Sequence, residues 1–164
     1  MVESRPLLPT DARMTWIPES GPGDTEFERV FALRPELFAA WRDFAELFWS
    51  RRLVDPVVLE LCRRRIASML GARQPLSLRR PEAALEPARV AARDSGWRSD
   101  LFSETERACL RFAEQFALDP KGISDADAAA VVAALGEAGM VAFVEALAIF
   151  DGFARFTRFL EIEP

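Results

Sequence analysis

DPVVLELCRRRIASMLGARQPLSLRR (residues 55–80) decides how this chain is read. Asp55 followed by Pro56 is a helix start: a carboxylate that can accept from an early backbone N–H, then a ring preset for the first turn. Leu59, Cys62, Ile66 and Met69 recur at three to four residues and mark one apolar face. Gly71 is the residue type that closes a helix in the left-handed region. Arg63, Arg64 and Arg65 stand in a row, so their side chains fan over a wide arc of the helix surface.

The same grammar extends in both directions. Upstream, the spacing predicts a helix over 35–49, with Pro35 in the first turn and Leu37, Phe38, Trp41, Phe44, Ala45 and Phe48 as its apolar positions. Downstream, Pro75, Pro81 and Pro87 break 72–96 into short helical pieces, of which 88–93 is the most regular. Ser103-x-x-Glu106 is a capping box that opens a helix with the buried stripe Ala108, Cys109, Phe112, Ala113, Phe116 and Ala117. Glu104, Arg107, Arg111 and Glu114 on its other face have the spacing for pairing within the helix. A shorter helix follows Ser124 and ends near Leu135-Gly136, and a final one covers 139–159. That last helix is apolar nearly all round through Phe150, which suits a core or a subunit contact. No segment alternates with period two, so the expected fold is all-α. Residues 1–24, rich in Pro and Gly, read as an arm that Trp16 and Ile17 would dock, and 25–164 as a single domain.

Composition narrows the chemistry. The chain has 164 residues and a net charge of −5, so no global basic field favours nucleic acid. It contains no His, which removes Ser-His-Asp and Cys-His catalysis and any His-ligated metal within one chain. Lys121 is the sole lysine and lies in a loop-like Asp119-Pro120-Lys121-Gly122 stretch, a poor place for a Schiff base. Arg in place of Lys, with abundant Ala, fits a GC-rich bacterial genome. Cys62 and Cys109 lack metal-ligand spacing and each falls in an apolar helical pattern, as small buried hydrophobes do. No metal or cofactor is therefore expected. The first residues, MVESRPLLPTDARM, have no apolar signal core, and the longest apolar stretch, 140–150, is interrupted by Glu145. A cytoplasmic chain without a membrane span is the expectation.

Three stretches together resemble the carboxymuconolactone decarboxylase and alkylhydroperoxidase D-like family: RPELFAAWRDFAELF (34–48), LELCRRRIASMLGA (59–72), and LFSETERACLRFAEQFALDPKGISDADAAAV with MVAFVEALAIFDGFARFTRFL (101–131 and 140–160). The resemblance implies a helical bundle that assembles as a homo-oligomer, a dimer, trimer or hexamer. It also implies a redox site of Glu, then Cys-x-x-Cys, then His four residues on. At the matching positions this chain has Glu60, Ala72, Pro75 and Arg79. Ala cannot attack a peroxide and Pro cannot resolve a disulfide. No CxxC exists in any register, so the peroxidase mechanism is excluded.

Several polar residues then carry open readings. Glu60 is either a helix pair with Arg64 or a retained pocket carboxylate, the tentative catalytic group. Arg65 is either salt-bridged inside an oligomer or directed at an anionic ligand. Arg79 and Arg80 are solvated loop residues or bind a carboxylate or phosphate. Glu145, a lone carboxylate in MVAFVEALAIF, is expected to pair with an Arg, face a cavity or be neutral. Two functions follow. One is a non-redox small-molecule binder or scaffold, a pseudoenzyme. The other is a redox-independent enzyme of decarboxylase or lactone type acting on a small anionic substrate. One-cysteine thiol chemistry at Cys62 is a third, weaker option.

Overall fold

The computed structural model describes residue 17 and residues 21–77 and 80–162. Among these residues all regular structure is helical and no strand occurs. The α-helices are α1 (Glu26–Phe31), α2 (Pro35–Ser50), α3 (Pro56–Met69), α4 (Arg73–Ser77), α5 (Pro87–Ala92), α6 (Glu104–Leu118) and α7 (Asp125–Phe159), with 3-10 turns at Pro81–Ala83, Arg93–Arg98 and Pro120–Gly122.

The helix ends follow the side chains that satisfy them. Asp55 Oδ1 accepts from Val57 N at 2.7 Å at the start of α3. At its end Gly71 (φ 65°) donates to Ser68 O and Ala72 donates to Ala67 O, the paired closure of a Schellman motif. Ser103 and Glu106 form the expected capping box on α6, with Glu106 N to Ser103 Oγ at 3.3 Å and Ser103 N to Glu106 Oε2 at 2.8 Å. A second box, Thr25 with Glu28, opens α1. The expected break near residue 136 is present: α7 carries non-helical angles at Gly136 (φ 74°, ψ 169°).

α3, α6 and α7 pack on one another and supply the core. Leu59, Cys62 and Ile66 of α3, Cys109, Leu110 and Ala113 of α6, and Phe143, Ala146, Leu147 and Ala154 of α7 are fully buried. A smaller aromatic cluster joins α1 and α2 to the C-terminal half of α7, where the Phe27 and Phe153 rings meet edge-on at 5.0 Å. Ile17 packs against this cluster, as expected of an arm residue, while Trp16 lies outside the described residues.

Two expectations are corrected. The charges on the outer face of α6 do not pair with each other. Arg107 reaches Asp100, Arg111 reaches Asp127 at 2.8 Å, and Glu114 turns to Arg65 of α3. Glu145 neither pairs nor faces a cavity: it is exposed on the outer side of α7 and makes no hydrogen bond or ion pair among the described residues. The reason is that α7 gives only one face to the core. By length and composition α7 could cross a membrane, and only 17% of its most apolar window is buried in this fold.

Candidate functional site

Glu60 sits on the buried side of α3, 2% exposed. An isolated carboxylate at that depth would be costly, and two residues one turn ahead compensate it. Arg63 holds it bidentately, Nε to Oε2 and Nη2 to Oε1, both at 2.8 Å. Arg64 Nε donates to Oε1 at 2.6 Å. Spacings of three and four residues on a helix bring all three side chains to one flank.

The same guanidinium groups tie down the segment that follows. Arg63 Nη1 donates to the Pro75 carbonyl, and Arg64 Nη1 to Leu76 O at 3.4 Å. The position where the resemblance puts a resolving cysteine therefore holds a buried proline whose carbonyl anchors Arg63. Ala72, the other position that the resemblance gives to a cysteine, is buried just beyond the end of α3. Arg79 lies outside the described residues.

Glu60 and Arg64 form part of the wall of an open groove of about 760 Å³. Arg80 stands on its lip, paired to Glu46 at 3.0 Å and lying over the Trp49 ring at 5.0 Å. Leu76, Pro81, Leu85 and Val90 make the rest of the surface mainly apolar. The sequence reading named Arg80 beside Arg79 but gave the groove no apolar wall. Leu85 and Val90 sit in short Pro-flanked pieces without periodicity, so nothing local marks them as lining. Burial of Arg63, only 5% exposed, was also missed, although its spacing from Glu60 carries the signal.

The other proposed binding residues lie elsewhere. Arg65 Nε donates to Glu114 Oε1 at 3.0 Å, and the Trp97 N–H donates to the same oxygen at 3.1 Å. Its ion pair thus links helices of one chain. Gly96 (φ 65°) completes that joint, because a Cβ there would collide with Glu114 Oε1. Glu145 is not in the groove.

Neither thiol is poised for chemistry. Burial, and then the nearby Cys109, push the Cys62 thiol well above its usual range. Burial, helped by Glu106, pushes Cys109 up to about 12. No cluster of three or more Cys, Asp or Glu among the described residues could hold a metal ion. The site is thus an arginine-lined, partly apolar groove with one buried carboxylate. It suits recognition of an anion through guanidinium groups and of an apolar body through the wall. No protein-family model and no curated protein matches this chain.

Proposed function

We propose that this chain is a non-redox member of the alkylhydroperoxidase D-like class, working as a homo-oligomeric small-molecule binder in the cytoplasm. Its ligand is a small carboxylate with an apolar body. One observation carries the reading: Arg80 and Arg64 border the same groove as Leu76, Leu85 and Val90. Glu60 holds Arg64 in place, so the cationic side is set before a ligand arrives.

The reading is tested by calorimetric titration with benzoate and octanoate, using benzamide and octanamide as uncharged controls. The carboxylates bind and the amides do not. Arg80→Gln weakens carboxylate binding by about tenfold or more, the usual scale for losing one charge-assisted contact. Equal binding of acid and amide, or an unaffected Arg80→Gln variant, contradicts it. Thiol-dependent hydroperoxide turnover would contradict the non-redox part.

A second reading is favoured by Glu60 itself lining the groove. In it the chain is a redox-independent enzyme that uses Glu60 to move a proton on the same class of anion. Consumption of a lactone or carboxylate substrate that stops in Glu60→Gln, with the variant still folded, would select this reading over simple binding.

A further inference from the structure

The outer face of α7 carries a pattern along its C-terminal half. Among its exposed positions, Val141, Glu145, Ala148, Gly152, Arg155 and Phe159 are spaced alternately by four and three residues, and Arg158 is exposed beside the last two. That spacing places them on one face of the helix, where the two charged members are of opposite sign and the two central ones are small. Val141 is 66% exposed and Phe159 is 70% exposed. From Val141 to Phe159 the seam is about 27 Å long at the ordinary helical rise.

The seam is self-complementary when reversed. Glu145 and Arg155 lie equally far on either side of position 150, as do Ala148 and Gly152, and Val141 and Phe159. Glu145 makes no ion pair within the described residues. Arg155 donates to Asp151 through Nε and to Ala117 O through Nη2, and its Nη1 makes no bond among the described residues. Gly152 is mid-helix, where glycine weakens the helix, and a Cβ there would meet nothing within 4 Å. Nothing among the described residues calls for a glycine at that place. Close approach of a second backbone does.

We propose that the outer face of α7 seats a second copy of this chain, antiparallel about a two-fold axis level with position 150, so that Glu145 of each copy meets Arg155 of the other. Ala148 and Gly152 form the close crossing and the Val141 and Phe159 positions cover its ends. This rests on the homo-oligomer part of the reading above and supplies its interface. A second exposed stripe, Leu37, Phe44 and Leu47 on α2, carries no such charge relationship.

The test is light scattering of the full chain at tens of micromolar, with the variants Glu145→Arg, Arg155→Glu and Gly152→Leu. Wild type runs at twice the 18.4 kDa chain mass or an even multiple of it. Glu145→Arg places like charges at two symmetric contacts and raises the dissociation constant about a hundredfold or more. Arg155→Glu does the same. An equimolar mixture of the two variants returns to the dimer, because every seam contact in the mixed pair is again opposite in sign. Gly152→Leu loses the dimer while its helical circular dichroism stays at the wild-type level, since there is room for the side chain in one copy. If Arg155→Glu fails to fold, Glu145→Arg and Gly152→Leu decide the matter. A monomeric wild type overturns both this interface and the homo-oligomer reading, and a monomer that floats with phosphatidylcholine vesicles assigns the face to a lipid surface. An oligomer of odd number, or one that neither Glu145→Arg nor Gly152→Leu disturbs, overturns this interface alone.

Discussion

Glu60 and Arg63 form a two-point pair, Nε to Oε2 and Nη2 to Oε1 at 2.8 Å each, with both side chains almost wholly out of solvent. Removing the carboxylate would take from Arg63 and Arg64 the charge that both of them share. Glu60→Ala is expected to lower stability by about 3–5 kcal/mol, the scale for breaking a buried pair from one side. Glu60→Gln, which keeps an acceptor oxygen, should fall between the two. Urea unfolding monitored by circular dichroism checks the order, and a Glu60→Ala variant as stable as wild type would contradict it.

The two cysteines give a simple chemical expectation. Both are fully buried, and burial raises both thiols. A disulfide-exchange reagent should label neither in the native protein and both after unfolding in guanidinium. Rapid labelling of Cys62 in the folded state would revive one-cysteine chemistry at that position.

The end of α7 repeats the closure seen at α3, with Glu161 donating to Arg158 O and Ile162 to Thr157 O. Here the left-handed position is filled by Glu161 (φ 57°), where α3 has Gly71. A residue with a Cβ is strained in that region. Glu161→Gly is therefore expected to stabilise the fold by about 1 kcal/mol, read as a higher melting temperature. A lower melting temperature would contradict it.

Acid should open the α6 capping box. Burial alone would raise the Glu106 carboxyl, but the Ser103 N–H and the Arg89 guanidinium outweigh it and hold the group below its ordinary value of 4.5. The folded state therefore favours the ionised form. Its contribution is complete above the unfolded value and is lost as pH falls through the lower folded value. Glu106→Gln keeps the box without the charge, so its melting temperature should decline less steeply than wild type below about pH 4.5. Parallel pH profiles would show that Glu106 is not part of the acid response.

The helices were legible because their signals are local. Asp55-Pro56, Ser103-x-x-Glu106 and Gly71 each act within a turn, and the structure ends its helices at those places. Thr25-x-x-Glu28 carries the same signature, and the sequence reading passed over it because the Pro-rich arm ahead of it drew the boundary. Side-chain partnerships were far less legible. Glu114 has Arg111 within reach on its own helix, yet pairs with Arg65 across the α3–α6 contact, a choice only tertiary packing makes. Glu145 was misplaced because an apolar run does not reveal how many of its faces the chain covers. The groove was partly legible through Glu60 and Arg80, while its apolar wall comes from irregular pieces brought together by the fold.

The cationic side of the groove consists of arginines, and the sole lysine, Lys121, lies in the 3-10 turn after α6. A guanidinium does not lose its proton in water at any pH the fold survives. Binding of a weak acid to Arg64 and Arg80 would accordingly follow the ionisation of the acid and not that of its guanidinium receptors. Reagents aimed at amines would pass the groove by. Arginine keeps the charge of these two groups constant with acidity, and each is held by a carboxylate of its own chain, Glu60 for Arg64 and Glu46 for Arg80.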